Sequence, residues 1–286
     1  MIPASFEYTR ASSVDDALQA LAGGAKVIAG GQSLLPLLKM RLASAERLVD
    51  IGQLKELRGL RLNDDGSASL GPLTTYADVI KGGVIPWVTE ALANIGDVQV
   101  RNRGTIGGSL AHCDPASDFP AIALALDGTI VVRSVRGERE VPADGFFHGP
   151  FETALAADEL IVDLRRPPLP QGAGGAFVSL EQPASGYSIV GVAAVLGHRH
   201  GVLGSSEIDH VRVALTGVGP APYRAKAVEE ALAGTDCSPD KIAAAAQKAV
   251  EGVEVNSDIH ADATYRAALA TVLVRRALEL ARSRSS

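Results

Sequence analysis

The segment RRPPLPQGAGG at residues 165–175 constrains the fold more than any other stretch of the chain. It holds three prolines and three glycines. Proline removes an amide donor and fixes φ, so neither a helix nor a central strand continues through such a stretch. At 286 residues the chain is long enough for two domains. We therefore predict one region at residues 1–170 and a second at residues 171–286.

The patterning on either side of this segment predicts an α+β protein. Residues 1–56 are typical of a small α/β lobe, in which Ser13 followed by Asp16 marks the start of a helix. Residues 57–170 add hairpins and short helices as a second lobe. Beyond the boundary, three apolar runs predict a three-stranded antiparallel sheet, which alanine-rich helices follow. The predicted strands lie near residues 177–180, 189–197 and 209–216.

Composition narrows the setting in which such a chain works. Lys and Arg number 27 against 33 for Asp and Glu, which gives a net charge of −6. Nucleic acid is then not expected as a partner, because its phosphates are bound mainly by positive charge. Cys113 and Cys237 are too few for a disulfide framework and lack the spacing of a metal knuckle. Since the sequence shows neither a secretory signal pattern nor an apolar run of membrane-spanning length, we expect a cytoplasmic protein.

Two glycine pairs are the best candidates for a binding site. Gly30 and Gly31 lie in IAGGQSL, and Gly107 and Gly108 lie in TIGGSLAH. Glycine lets the backbone turn at positive φ and lets a ligand approach the main chain. Successive amides in such a turn form an anion-binding concavity. The two pairs predict two contacts with one elongated anionic ligand, such as a dinucleotide; the alternative is that both are ordinary turns.

Other nucleotide-binding and catalytic signatures are absent from the sequence. There is no P-loop, and Pro220 and Pro222 in GVGPAP disrupt what would be a Rossmann glycine turn. Asp118 has two candidate roles, accepting from a ligand hydroxyl or capping the helix of the apolar run FPAIALAL. We expect His112 and Cys113 to fill space. Since no catalytic residue or metal-ligand set can be nominated, redox chemistry would need a cofactor.

Around these loops the sequence resembles the FAD-binding medium subunits of molybdenum hydroxylases, the group of the carbon monoxide dehydrogenase medium chain and the xanthine dehydrogenase FAD subunit. The resemblance covers essentially the whole chain. It implies an α+β fold with a two-lobed FAD-binding region of the p-cresol methylhydroxylase type, followed by a C-terminal α+β domain. Four stretches carry it, in order along the chain: MIPASFEYTRASSVDDAL, AGGQSLLPLLKMRLA, RNRGTIGGSLAHCDPASD and DIHADATYRAALATVLVRRAL.

The resemblance also implies which residues bind the cofactor. The two glycine loops would hold the FAD pyrophosphate and neighbouring groups, and Asp118 would contact the cofactor. Tyr187 would lie beside the flavin ring, and Ile161 would lie near a contact position. The implied cofactor-binding residues are Ile28, Ala29, Gly30, Gly31, Gln32, Ser33, Leu34, Thr105, Ile106, Gly107, Gly108, Ser109, Asp118, Ile161 and Tyr187.

Three features depart from the family pattern. Ser109 stands where the family usually has asparagine. Ser179, Glu181 and Gln182 stand where basic residues are common, so a basic contact to the flavin edge is not assigned. Gln32 stands where some carbon monoxide oxidisers have histidine, so carbon monoxide is not assigned as the substrate.

In function, the resemblance implies an electron-transfer subunit that carries FAD. Its partners would be a large molybdopterin subunit, where substrate is hydroxylated, and a small subunit with two 2Fe–2S clusters, assembled as a dimer of heterotrimers. Electrons would reach FAD through the clusters and leave to an external acceptor. Two alternatives stay open: a self-sufficient FAD-dependent oxidoreductase of the same fold, and a non-enzymatic nucleotide-binding module.

Overall fold

The first part of the chain forms a parallel three-stranded sheet with two helices. A computed structural model describes residues 2–200 and 206–286. The strand order is β1-β3-β2, with both neighbouring pairs parallel. The Ser13 side chain accepts a hydrogen bond of 3.1 Å from the Asp16 amide, which confirms the predicted helix start. The elements are β1 (Glu7–Arg10), α1 (Val14–Ala22), β2 (Lys26–Ile28), α2 (Leu34–Lys39) and β3 (Arg47–Asp50).

The middle of the chain forms an antiparallel five-stranded sheet in the order β4-β5-β10-β6-β7. Two of its neighbouring pairs, β4 with β5 and β6 with β7, are the hairpins that the sequence predicts. The strands are β4 (Leu60–Leu62), β5 (Ala68–Leu70), β6 (Thr129–Ser134), β7 (Gly137–Pro142) and β10 (Leu160–Arg166), and β8 (Phe147–Gly149) pairs separately with β9 (Glu152–Thr153). The helices are α3 (Tyr76–Gly82), α4 (Pro86–Ala93), α5 (Val98–Arg103), α6 (Ile106–His112) and α7 (Asp118–Ala125).

The C-terminal part is an antiparallel sheet in the order β11-β12-β13-β14 with helices packed on it. Its three long strands are the predicted ones. A further two-residue strand extends the sheet, and it is too short to leave a periodic pattern in the sequence. The elements are β11 (Gly174–Glu181), β12 (Ser188–His200), β13 (Ser206–Thr216), β14 (Tyr223–Arg224), α8 (Lys226–Leu232), α9 (Pro239–Ala246) and α10 (Ala263–Arg284).

Helix α7 joins the second and third sheets into one core. All eight of its residues are buried, as expected of a helix that is apolar on every side. It packs against β12, β13 and β14, and Ala193, Val195 and Ala214 belong to the same buried cluster as the helix. The proline-rich segment runs between β10 and β11, and the division at residue 170 stays a prediction of domain structure.

A second contact across this junction is made by Trp87, the single tryptophan of the chain. Trp87 is buried in α4, which packs against β11. A methyl group placed on Gly175 would lie 2.2 Å from the Trp87 Nε1 atom, so the indole rests directly on the strand backbone. Among the described residues, no helix is both long enough and apolar enough to cross a membrane.

We expect Gly175→Ala to lower the free energy of unfolding by about 2 kcal/mol, because the new methyl overlaps the indole of Trp87. Trp87 emission should move to longer wavelength as the indole is displaced toward water. Chemical unfolding followed by fluorescence measures both effects. Gly145→Ala is the matched control, since nothing lies within 4 Å of its added methyl. Equal stability of Gly175→Ala and the wild type would contradict this packing.

Candidate functional site

The first predicted loop presents a row of unpaired backbone amides. β2 ends at Ile28, and Gly31, at a φ of 76°, turns the chain toward α2. Within residues 2–200 and 206–286, no acceptor pairs with any of the five amides of residues 30–34. Ser33 occupies the N-cap position of α2, yet its hydroxyl makes no capping bond. Five successive donors are therefore available to an anion.

The structure brings this loop against the backbone that leads into the second one. A methyl group placed on Gly30 would lie 2.0 Å from the Arg103 carbonyl oxygen and 3.2 Å from the Gly104 Cα atom. Only glycine permits this approach of two main chains. The two segments that the sequence nominates, about 75 residues apart, thus adjoin at Gly30 and Gly104.

The second glycine pair does not form the turn that the sequence suggests. Gly107 and Gly108 lie in the first turn of α6, and neither has positive φ. Their amides are already used, since Gly107 donates to the Pro72 carbonyl at 2.8 Å and Gly108 donates to the Thr105 hydroxyl at 3.2 Å. These two amides are therefore not free for an anion, and contact between this pair and a ligand stays a prediction.

Close packing explains why glycine is present at the second pair. A methyl group placed on Gly107 would lie 2.4 Å from the Pro72 Cβ atom. The Ile106 amide likewise donates to the Thr74 carbonyl at 3.0 Å, and the Ser109 amide donates to the Thr105 carbonyl at 3.1 Å. The amides of residues 106–109 are thus used within the chain, and half-buried Gly108 and Ser109 are the residues of this segment that can face a ligand.

Asp118 is the first residue of α7, and the cap reading of its role is wrong because Ser117 holds the N-cap position. Its carboxylate accepts a hydrogen bond of 2.7 Å from the Ser188 hydroxyl at the start of β12. Only 7% of the residue is exposed. Burial raises the pKa of the Asp118 carboxyl to about 7, against the opposing effect of the Ser188 hydrogen bond.

Tyr76 and Ser188 belong to the same neighbourhood, although nothing in the sequence marks them. Burial raises the pKa of the Tyr76 hydroxyl, the Ser109 hydroxyl lowers it, and the charge of Asp118 raises it. These interactions place Tyr76 between the second loop and Asp118. The Ser109 hydroxyl also lies 2.8 Å from the Ser117 hydroxyl. The hydroxyls of Tyr76, Ser109, Ser117 and Ser188 and the carboxyl of Asp118 therefore form one polar group.

Tyr187 lies next to this polar group, on the turn between β11 and β12. It is 45% exposed, and desolvation together with the charges of Asp114 and Asp118 raises the pKa of its hydroxyl. Its side chain is thus partly open to solvent and within electrostatic range of Asp114 and Asp118. Ile161, by contrast, is buried in the core and pairs with Val132, so its place at a ligand stays a prediction from the resemblance.

The residues near Tyr187 that depart from the family pattern form hydrogen bonds within their own turn. Ser179 donates to Glu181 at 3.2 Å. The Gln182 side chain accepts from the Ser185 amide at 2.6 Å, and the Gln182 amide donates to the Tyr187 carbonyl at 2.8 Å. These bonds shape the turn that carries Tyr187.

His112 and Cys113 behave as space-filling residues. The His112 ring packs on Phe151 at a centroid distance of 4.9 Å, and burial lowers its pKa. Cys113 is fully buried, which raises the pKa of its thiol to about 11, too high for a reactive thiolate at neutral pH. The described part of the chain holds no cluster of three metal-ligating side chains.

Comparison with known proteins covers the whole chain. Residues 4–169 match the family model described as the FAD binding domain in molybdopterin dehydrogenase, and residues 176–281 match the CO dehydrogenase flavoprotein C-terminal domain. The carbon monoxide dehydrogenase medium chain of Hydrogenophaga pseudoflava is 38% identical over 99% of both chains. The nicotine 6-hydroxylase medium subunit of Paenarthrobacter nicotinovorans is 37% identical over 98% of this chain and 99% of its own.

A solved structure agrees with these matches. A chain of carbon monoxide dehydrogenase from Hydrogenophaga pseudoflava superposes with a TM-score of 0.94 at 39% identity, over 100% of both chains. The α+β fold that the sequence predicts is thereby confirmed.

The buried carboxyl makes a prediction about stability and pH. The pKa of Asp118 is about 7 in the folded chain and about 3.9 when unfolded, so its contribution is complete below pH 4 and is lost as pH rises to 7. Asp118→Asn removes this loss. Relative to wild type, its free energy of unfolding should therefore increase by roughly 3 kcal/mol between pH 4 and pH 8. Chemical unfolding across that range measures the change, and a difference independent of pH would contradict it.

Proposed function

The chain belongs to the family of FAD-binding domains in molybdopterin dehydrogenases, and we propose that it holds FAD along the free amides of residues 30–34 and the polar group around Asp118. It is an FAD-binding oxidoreductase subunit that transfers electrons. The full-length match to a dehydrogenase medium chain and a hydroxylase medium subunit does not favour a self-sufficient oxidoreductase or a non-enzymatic module.

The residues of the first loop fit the diphosphate of FAD. The single observation that carries the proposal is the row of five unpaired amides at residues 30–34, because a diphosphate needs several converging donors. Gly30 lets the loop lie against the Arg103 carbonyl, and Gly31 turns the chain at positive φ into α2. Asp118, Ser109 and Tyr76 offer acceptors and donors for the hydroxyl-bearing part of the cofactor. Tyr187, with its side chain partly exposed, is proposed to flank the flavin.

The chain's own residues bind and orient the cofactor and perform no substrate chemistry. FAD, when bound, supplies the group that accepts electrons and passes them on. By their names, the two relatives act on different substrates, carbon monoxide and nicotine. Their identities to this chain are nevertheless almost equal, at 38% and 37%. We infer that substrate choice is made by residues outside this chain.

The proposed partners follow from the same relatives. Their names identify a medium chain and a medium subunit, so each works with other subunits. We propose a large molybdopterin subunit and a small subunit with 2Fe–2S clusters, assembled as a dimer of heterotrimers that delivers electrons to an external acceptor. We also propose a cytoplasmic location, which the two free, buried cysteines support.

The decisive experiment is to incubate the purified chain with FAD, desalt it, record the visible spectrum and identify the released cofactor by chromatography. FAD retained at close to one per chain supports the proposed site. The same measurement on the chain co-expressed with a molybdopterin subunit and an iron–sulfur subunit tests the assembly. A colourless chain in both preparations would overturn the proposed function.

Gly31→Ala should weaken FAD binding by about tenfold or more, because φ at this residue is 76° and alanine is strained there. The added methyl would also lie 2.9 Å from the Leu35 Cδ1 atom, so the loop must shift. Titration of flavin fluorescence gives the Kd. Gly145→Ala again serves as the control, and an unchanged Kd in Gly31→Ala would show that the first loop does not hold the cofactor.

A further inference from the structure

A buried arginine in the last helix holds the ends of two strands. Arg266 of α10 is only 4% exposed. Its Nη1 atom donates to the Ile189 carbonyl at 2.5 Å and to the Gly217 carbonyl at 2.7 Å. Its Nη2 atom donates to Asp258 at 2.6 Å, and its Nε atom is buried with no partner in the described part of the chain. Burying a guanidinium costs free energy, which an apolar side chain of similar volume would avoid. Packing alone therefore does not explain an arginine at this position.

The two carbonyls belong to strand ends that lie close together. A methyl group placed on Gly217, whose φ is 79°, would lie 2.4 Å from the Ile189 carbonyl oxygen. One planar guanidinium can therefore donate to both carbonyls at once. A lysine ammonium at this position has no such fork and would reach fewer acceptors.

The same strand ends hold the segment that carries Asp118. Ser188, which precedes Ile189, donates to the Asp118 carboxylate at 2.7 Å. The Thr216 hydroxyl lies 2.8 Å from the carbonyl oxygens of both Pro115 and Ser117. The Gly217 amide donates to the Pro115 carbonyl at 2.7 Å. Arg266 donates to the carbonyls of Ile189 and Gly217. Ser188 and Thr216 are the residues that directly precede these two in the sequence.

We propose that Arg266 is a positioning residue for the cofactor site, which fixes the ends of β12 and β13 and through them the place of Asp118. The inference rests on the proposed function, since it assigns Asp118 to FAD. It extends the site to the C-terminal helix, about 150 residues beyond Asp118 in the chain. Arg266 touches neither the free amides of residues 30–34 nor the polar group itself.

A purely structural role for Arg266 makes a different prediction, and a control on the same helix separates the two. Leu278 is fully buried in the C-terminal core and does not contact the strand ends through hydrogen bonds. Leu278→Ala lowers stability by leaving a cavity. If Arg266 only stabilises the C-terminal part, then a substitution of Arg266 and Leu278→Ala should change the Kd for FAD by a similar factor.

The pH dependence of FAD binding gives a second readout. Glu181, Tyr76 and Tyr187 act electrostatically with Asp118, and Asp114 acts on Tyr187. FAD should bind more tightly as pH rises through about 7, because the ionised carboxylate is the better acceptor for a hydroxyl. Displacing the Ser188 hydroxyl removes a bond that favours the ionised form. The midpoint of the pH profile should then move upward when Arg266 is replaced.

The experiment measures FAD Kd by fluorescence titration between pH 6 and pH 9 for the full chain. The variants are wild type, Arg266→Lys, Thr216→Val, the double variant and Leu278→Ala. We expect Arg266→Lys and Thr216→Val each to weaken binding by about tenfold and the double variant by far less than a hundredfold, because they act along one path. Leu278→Ala should leave both the Kd and the midpoint unchanged.

The other outcomes contradict either the proposed function or the positioning role of Arg266. A wild-type chain that fails to bind FAD contradicts the proposed function. A wild type that binds, with Arg266→Lys unchanged in Kd and midpoint, contradicts the positioning role alone. Equal weakening in Leu278→Ala, or strictly multiplicative effects in the double variant, contradicts it as well. Should Arg266→Lys fail to fold, Asp258→Asn replaces it in the same cycle, since Asp258 is half exposed and its loss affects only one guanidinium bond.

Discussion

The burial of helix α7 is the constraint from which the arrangement of the site follows. The helix is apolar on every side, so it must be enclosed on every side, and the second and third sheets supply that enclosure. Its first residue is nevertheless an acid, Asp118, which is carried into the interior with the helix. A buried carboxyl needs a partner. Ser188, at the first residue of β12, provides it, and a polar site thereby forms where the two sheets meet.

The two glycine pairs look alike in sequence, but glycine is required in each pair for a different physical reason. At Gly31 the backbone requires positive φ, and at Gly30 it requires contact with the Arg103 carbonyl. The amides of residues 30–34 have no acceptor among the residues that the structure describes. At Gly107 the requirement is a close contact with Pro72 inside a helix, and the amides are used. The motif alone therefore does not tell whether a glycine pair offers donors, because the answer depends on which distant carbonyls reach it.

Local signals in the sequence predict local structure well. Ser13 and Asp16 define the start of α1, and the long strands of the C-terminal sheet follow from apolar runs. The family resemblance, carried by four ordered stretches, is confirmed by the full-length matches. The interpretation of Asp118 as the N-cap was wrong by one residue, since Ser117 holds the N-cap position and Asp118 begins the helix. The roles of Tyr76, Ser188 and Arg266 could not be predicted, because they depend on residues far away in the chain. Tyr76 and Ser188 interact with Asp118 across 42 and 70 residues, and Arg266 donates to Ile189 across 77 residues.

The order in which these parts appear along the chain has a consequence for how the protein is made. The loop of residues 30–34 is synthesised early, whereas Ser188 and the α10 residue that holds its strand come late. During synthesis, domains begin to fold from the amino end. The amide row can thus be in place long before Asp118 receives its partner. The polar group around Asp118 is therefore complete only once β12 and α10 have been made and have packed together.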